Sequence, residues 1–450
     1  MSSVDTPQVL RLYRKVASPG FLQTACLKYG YSFRDGVYTV GVVIWLMIWQ
    51  RLQGNRNLAE AVQHLLQGGV RELQSDCKRC ADDKISTATG SYCLARQRLP
   101  MMVVSEVTEA IVDQLRAEMQ EGWKGLSRPI FVVDGSTLQL QHTPELVQAF
   151  PPGGNQHGEN HWPVMQIVVF HDVFSGVALQ PHWGPMYGLA AVSEQSLAAE
   201  GLERLPADAV VLGDCNFGIF AFAYAVQESG RHVILRLTKS RAQKILGSQL
   251  QAGTDQRVVW QVSRQERNAH PELPEQACLS GRLIVCDDPS RPGEVWYLFT
   301  TLELPVKEIQ EIYKLRWNVE TDLRSLKRTV ALHQLSSKSL DMVEKELLTA
   351  VAAYNLVRAV MCLTARRANL TPRQLSFSFV QTVVEAALPG LDQAATDAEY
   401  QQRLDRMLRF AAQGKLPKRS RSRAYPREVW SRGSRFPWHK RAVQEEAEKK

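Results

Sequence analysis

Two short apolar segments that each end in an aspartate and a turn constrain the fold of this chain most strongly. The first is 129-PIFVVDG-135, and 208-DAVVLGDCNFG-218 repeats its pattern further along. Short apolar runs bounded by turn residues are typical of buried strands. An apolar segment with helical character, 219-IFAFAYAVQES-229, follows the second run. The sequence therefore predicts an α/β fold in which Asp134 and Asp214 lie at strand ends.

The two aspartates predict a ligand site at one edge of the sheet. Side chains at the C-terminal ends of strands in an α/β sheet face the crevice where ligands bind. A single aspartate there more often begins a turn or caps a helix. The pair, followed downstream by Glu320 in an amphipathic segment, favours a different role. Two strand carboxylates and one helix carboxylate can converge on two Mg²⁺ ions, which prefer oxygen ligands.

The segment 313-YKLRWNVETDLRSLK-327 places four functional side chain types on one face of a predicted helix. Tyr313, Arg316, Glu320 and Lys327 fall within one narrow stripe at about 100° per residue, beside an apolar face. A surface helix with an Arg316–Glu320 ion pair is the simpler interpretation. If Glu320 joins the aspartates, Tyr313, Arg316 and Lys327 would instead hold DNA phosphates near the metal ions.

The spacing Tyr-x2-Arg-x3-Glu-x6-Lys resembles the signature of the DDE transposases of bacterial insertion sequences, in which the glutamate is the third catalytic acid. Further similarity lies in VVDGSTLQL, AVVLGDCNFG, WNVETDLRSLKRTVALHQLSSKS and AAYNLVRAVM, and it extends over roughly residues 125 to 370. Cys215 and Asn216 depart from the pattern, since a basic or small residue is more usual after the second aspartate. The resemblance implies a ribonuclease-H-like core, a mixed sheet flanked by helices, interrupted by a β-rich insertion and preceded by an α-helical N-terminal domain.

The resemblance also implies a cut-and-paste DNA transposase. Asp134, Asp214 and Glu320 would bind two Mg²⁺ ions, with Mn²⁺ as a substitute, for phosphodiester hydrolysis and strand transfer. The partners would be double-stranded DNA, namely the terminal inverted repeats of the element and the target, and a second copy of the chain in a synaptic homodimer. Arg324 joins the predicted DNA contacts. Two alternatives remain: a metal-dependent nuclease of the same fold, and a non-catalytic DNA-binding protein derived from a transposase.

A tryptophan of the insertion would receive a flipped base if cleavage passes through a hairpin intermediate, as in similar transposases. Trp296 in 295-VWYLFTT-301 matches that position best, and Trp260 is the second candidate. An aromatic side chain packed in a sheet is an equally good interpretation of either residue.

The distribution of helical, strand-rich and basic segments along the sequence predicts five regions. Helical runs such as 56-RNLAEAVQHLLQ-67 fill the N-terminal part, and strands are concentrated before the signature segment. The predicted regions are 1–125, a helical DNA-binding domain; 126–231, the first part of the catalytic core; 232–304, the β-rich insertion; 305–385, the second part of the core; and 386–450, a C-terminal helical region with a basic tail.

The positive charge of the chain is concentrated in that tail. Of the formal net charge of +8, residues 414–441 supply an excess, with ten Lys or Arg and one acid, so the rest is close to neutral. Cations interleaved with Tyr425, Trp430, Phe436 and Trp438 can neutralise phosphates and stack on bases. A solubilising tail is the alternative.

Composition indicates a cytoplasmic protein, associated with the nucleoid when bound to DNA. The most apolar run, 36–49, is shorter than the ~20 residues that a bilayer span needs, so no membrane is expected. The eight cysteines are scattered without a disulfide framework. Cys77, Cys80 and Cys93, together with His64, leave structural zinc as an open question beside reduced thiols.

Overall fold

The computed structural model describes residues 9–32, 36–70, 73–118, 128–155, 158–247, 249–288, 293–333 and 335–417. Within these ranges, seven helices precede the first strand: α1 Val9–Val16, α2 Pro19–Lys28, α3 Val40–Leu52, α4 Leu58–Leu66, α5 Lys78–Ala81, α6 Gly90–Arg98 and α7 Met101–Glu118. The strands are β1 Ile130–Gln139, β2 Gly154–Asn155, β3 Gly158–Glu159, β4 Val164–Asp172, β5 His182–Pro185, β6 Val210–Gly213, β7 His232–Arg236, β8 Asp255–Gln261, β9 Cys278–Asp287 and β10 Val295–Thr300. The later helices are α8 Pro144–Ala149, α9 Glu194–Glu200, α10 Phe220–Glu228, α11 Lys239–Leu246, α12 Arg264–Ala269, α13 Val306–Lys314, α14 Asn318–Arg324, α15 Leu340–Arg367, α16 Phe377–Asp392 and α17 Asp397–Ala411.

One mixed sheet of eight strands organises the part of the molecule that follows the N-terminal helices. Its strand order is β5-β4-β1-β6-β7-β10-β9-β8. The strands β1, β6 and β7 run parallel, whereas β4 and β5 on one side and β10, β9 and β8 on the other pair antiparallel. Their apolar residues are buried between flanking helices. The predicted fold class, a mixed sheet flanked by helices, is confirmed.

Two predicted boundaries cut through this architecture. The strand β7, assigned to the insertion that would begin at residue 232, pairs in parallel with β6 and so belongs to the core sheet. The core sheet therefore includes β7, and the strands β8, β9 and β10 of the predicted insertion continue the same sheet rather than forming a separate one. The boundary at residue 385 lies inside α16. Composition indicated strands from residue 232 onwards, but it does not encode which strands pair.

The segment that carries the transposase-like signature is helical but not uniform. A 3-10 turn, Leu315–Trp317, separates α13 from α14, and a π turn, Ser325–Thr329, follows α14. These turns advance the chain by other angles than the 100° per residue of an α-helix. The predicted single stripe is therefore broken, and Tyr313 faces the core.

The N-terminal helices share their core with the rest of the molecule. Both α3 and α7 pack against α15, which is buried along nearly its whole length. A buried ion pair joins Arg51 of α3 to Glu346 of α15, with Nη2 and Oε2 3.2 Å apart. In the described residues, α15 is the one helix long and apolar enough to cross a membrane, and its apolar window lies entirely inside the protein. The basic tail beyond residue 417 lies outside the described residues.

Candidate catalytic centre

Asp134 and Asp214 come level with each other on neighbouring parallel strands. Val132 of β1 pairs with Leu212 of β6, and two residues further along both strands lie the aspartates. Neighbouring strands are separated by about 4.8 Å. Both side chains are partly buried. The structure therefore brings the two aspartates together. Asp214 directly follows β6, as predicted, whereas Asp134 lies inside β1 and not at a strand end, because residues 135–139 continue the strand by pairing with β4.

The surroundings of Asp134 disfavour its negative charge. Burial raises the pKa of Asp134 to about 6; the N–H of Gly135, which donates to Oδ1, opposes this shift, and the charges of Asp214 and Glu194 add to it. The guanidinium of Arg316 acts in the opposite direction. Carboxylates held close together in a partly buried site repel one another, and a divalent cation relieves that repulsion.

The signature segment is attached at both ends to the strands that carry the aspartates. The Tyr313 hydroxyl donates to the carbonyl of Gly213, 3.4 Å away and next to Asp214. The Lys327 ammonium donates to Ser136 Oγ at 2.9 Å and to the carbonyl of Thr137 at 3.0 Å, just beyond Asp134 on β1. These contacts place α14 across the two central strands, β1 and β6, at the level where Asp134 and Asp214 lie.

Glu320 lies in the first turn of α14 and is 44% exposed. Its Oε1 is 3.4 Å from Nη2 of Arg316, whose side chain is mostly buried and covers the Trp317 ring. Arg316 thus acts on both Glu320 and Asp134. Among the described residues, no three His, Cys, Asp or Glu side chains lie close enough together to hold one metal ion. Glu320 shares the edge with the aspartates but pairs with Arg316.

Oxygen donors at this edge fit a divalent cation. Carboxylate oxygens are the ligands that Mg²⁺ prefers, and a few are enough because the ion keeps several waters. Burial raises the pKa of Asp134 and the charges of Asp214 and Glu194 add to this shift, so a divalent cation would offset like charges there. In contrast, the side chains considered for structural zinc do not come together within the described residues. The sulfur atoms of Cys77 and Cys80 are 3.3 Å apart, but they form no cluster of three ligands, and His64 stacks on Trp49.

Of the side chains predicted to contact DNA, Arg316 is buried, and so are the two aromatic ones. Tyr313 and Trp296 are each 1% exposed, and their rings pack edge to face with centroids 5.0 Å apart. Trp260 is buried against Phe299. In this conformation the aromatic side chains of Tyr313, Trp296 and Trp260 cannot touch DNA, because each fills a tightly packed core position. Arg324, in contrast, is exposed on α14.

Sequence reasoning missed one carboxylate at this edge, Glu194, the first residue of α9. Its carboxyl group lies against Gly135, and Asn216 donates to it. Burial and the charge of Asp214 raise the pKa of Glu194. Nothing in the spacing of residues 193–205 indicates contact with β1 or β6.

Comparison with known proteins identifies a family and similar proteins. The family model described as Transposase DDE domain matches residues 125–356, more than half of the chain. The chain is 28% identical over 360 residues to the transposase InsG of insertion sequence element IS4 from Escherichia coli (strain K12), covering 78% of each protein. Among solved structures, it resembles the piggyBac transposase synaptic complex with hairpin DNA, with a TM-score of 0.44 and 10% identity, over 92% of this chain and 86% of that one.

Proposed function

Because this chain belongs to the Transposase DDE domain family and is accordingly a DNA transposase, we propose that Asp134, Asp214 and Glu320 are its catalytic acids. All three lie inside the matched residues. The observation that carries the proposal is the attachment of the Glu320 segment to both aspartate-bearing strands, through Tyr313 and Lys327.

Membership of this family implies dependence on a divalent metal. We infer two Mg²⁺ ions, replaceable by Mn²⁺, as the native complement. When bound, such ions activate the attacking hydroxyl and stabilise the leaving oxygen of a phosphodiester. Asp134 and Asp214 would supply fixed oxygen ligands from adjacent strands. Glu320 would complete the set by exchanging its contact with Arg316 for the metal, a short movement of an exposed side chain.

Cations around the acids would hold the phosphate backbone. Arg324 is exposed on the same helix as Glu320, and its planar guanidinium suits phosphate oxygens. Lys327 lies beside Ser136 near Asp134 and would place a point charge next to the scissile phosphate. Arg316, mostly buried, would orient Glu320 rather than contact DNA. Tyr313 would act in the same indirect way, by holding the turn at Gly213.

The substrates would be the terminal inverted repeats of the element and a target duplex. Cut-and-paste transfer requires two ends in one complex, so a homodimer is the expected working form. A hairpin route through Trp296 would require that side chain to leave its packing against Tyr313. The protein would act in the cytoplasm, on nucleoid DNA.

Conservative substitutions test the three acids. Asp134→Asn, Asp214→Asn and Glu320→Gln should each reduce cleavage of labelled end DNA by at least about a thousandfold, because each removes a charged metal ligand. Binding of the same DNA in a mobility-shift assay should persist. Asp208→Asn is the matched control, since that exposed aspartate pairs with Arg128 before β6 begins. Wild-type cleavage by any of the three variants would exclude that residue from the centre.

Strand transfer separates the transposase from a nuclease of the same fold. Pre-cut ends supplied with Mg²⁺ and a target plasmid should be joined by the wild-type chain. Cleavage without joining would indicate a nuclease. Absence of both reactions in Mg²⁺ and Mn²⁺, with DNA binding retained, would indicate a non-catalytic DNA-binding protein.

A further inference from the structure

We propose that Glu194 is a positioning residue of the catalytic centre, which holds the turn after Asp214 and adds negative charge that strengthens the binding of divalent cations by Asp134 and Asp214. The inference rests on the proposed function of the two aspartates. Glu194 belongs neither to the apolar strand pattern nor to the signature segment, so neither feature of the sequence indicated this role.

Glu194 can occupy its position because residue 135 is a glycine and has no side chain. A Cβ atom built on Gly135 would lie 2.3 Å from the carboxyl carbon and from Oε1 of Glu194, far inside van der Waals contact. Gly135 has no positive φ, so its backbone does not itself require glycine. The space beside Asp134 is thus occupied by a carboxylate from α9, and any larger residue at position 135 would displace it.

Asn216 links this carboxylate to the second aspartate. Its side-chain amide donates to Oε2 of Glu194, and its backbone N–H donates to Oδ1 of Asp214 at 2.8 Å. Gln195, the next residue of α9, donates from Nε2 to the carbonyl and to Oδ1 of Asn216, both at 2.8 Å. The start of α9 therefore holds the turn that orients Asp214. Asn216 is also one of the residues that depart from the transposase pattern.

A simpler role for Glu194 would be stabilisation of its own helix. Acidic residues in a first turn interact favourably with free N–H groups there. However, the hydrogen bond that the described residues give its carboxylate comes from Asn216, on another element. The charges of Glu194 and Asp214 act on each other, and Glu194 also acts on Asp134. The carboxylate is therefore electrostatically part of the centre, where it would attract a divalent cation.

Binding of Mn²⁺ to the full-length protein without DNA tests the proposal independently of activity. The signal of free Mn²⁺ in electron paramagnetic resonance gives the dissociation constant. Glu194→Gln keeps the size of the side chain and an acceptor for Asn216, and should weaken Mn²⁺ binding about tenfold, the lower range for outer partners of metal ligands. Gly135→Ala should weaken it as well, because the new methyl group displaces the same carboxylate. Glu200→Gln, on the same helix but exposed beside His182, should bind as the wild type does.

Two variants distinguish charge from positioning. Glu194→Asp keeps the charge but shortens the reach to Asn216, so binding between that of Glu194→Gln and the wild type is expected. Wild-type affinity in Glu194→Asp would overturn the positioning role, and wild-type affinity in Glu194→Gln would overturn the proposal. Asp134→Asn and Asp214→Asn report on the proposed function itself: if they also bind Mn²⁺ normally, the centre is wrongly placed. If only they lose binding, the inference about Glu194 alone fails.

Discussion

The carboxyl group of Asp134 lies between like charges in a partly buried position. Burial is the main cause that raises its pKa to about 6, with contributions from Asp214 and Glu194. An aspartate in an unfolded chain titrates near 3.9. The folded state therefore binds this proton more tightly. The stabilising contribution is fully present below about pH 4 and is lost as pH rises through about 6. At neutral pH the ionised group lowers the stability of the metal-free protein.

Replacement of this carboxylate should consequently stabilise the metal-free protein. In EDTA at pH 7.5, Asp134→Asn should increase the free energy of unfolding by roughly 1 kcal/mol, as is common when charge is removed from an active site. The gain should vanish near pH 4, where the wild type is protonated. Chemical denaturation followed by circular dichroism at both pH values measures it, with Asp208→Asn as the control. A variant less stable than the wild type at pH 7.5 would contradict the electrostatic account.

At this scale the sequence predicted part of the centre. Asp134 and Asp214 were predicted because strand and turn patterns are local, and Glu320 because its neighbours have a recognisable spacing; their catalytic role stays a prediction. Glu194 could not be found in this way. Its role depends on the packing of α9 against the edge of β1 and on a glycine that leaves space for it, and both are tertiary facts. Packing in a sheet was one of the two interpretations of Trp296, but the contact of its ring with Tyr313 could not be predicted from the sequence.

Ion pairs of a buried aspartate on the inner face of α14 fix the position of this helix. Asp322, two residues after Glu320, is completely buried, and its Oδ1 accepts from Arg358 of α15 and from Arg373 at 2.6 Å. Arg373 also donates to the carbonyl of Val173, at the end of β4, at 2.9 Å. Burial opposes the charge, but the two guanidiniums outweigh it and lower the pKa of Asp322. One face of α14 presents Glu320 to solvent while the other is held by ion pairs.

Loss of this buried acid should be strongly destabilising. Asp322→Ala leaves the buried guanidinium of Arg358 and the partly buried one of Arg373 without this counter-charge, which costs about 3–5 kcal/mol. The free energy of unfolding in urea measures the loss. Glu311→Ala on α13 is the matched control, because its pair with Lys314 is exposed and contributes at most about 1 kcal/mol. A change below about 1 kcal/mol for Asp322→Ala would show that the network does not hold α14.

The sequence predicted the helical character of the signature segment and the strand β7, but not the breaks within that segment or the pairing of the strand. The apolar periodicity of the signature segment predicted a helix, yet the 3-10 and π turns within it leave no mark in the spacing of apolar residues. Likewise β7 was recognised as a strand but assigned to the insertion, because strand pairing is a property of the assembled sheet.

At the scale of the whole molecule, the N-terminal helices and the catalytic part form one packed body. Trp45 and the other apolar residues of α3 are buried with residues of α15 in a continuous core. Polar contacts cross the same surface: Gln381 donates to the carbonyl of Leu52 at 3.0 Å, and the buried Lys345 donates to that of Arg96 at 3.0 Å. A helical N-terminal region was predicted from the sequence, but its independence as a domain was not testable there.

A fragment that begins at residue 126 should therefore not fold as a stable unit. Removal of residues 1–125 uncovers the apolar surface of α15 that α3 and α7 bury and leaves Glu346 without Arg51, so we expect aggregation or a molten state that binds ANS. A chain ending at residue 417 keeps every contact described above and is the matched control. Near-ultraviolet circular dichroism and size-exclusion chromatography distinguish the two. A soluble 126–417 fragment that unfolds cooperatively with native near-ultraviolet signals would show that the first 125 residues are a separable domain, because its core would then be sufficient without them.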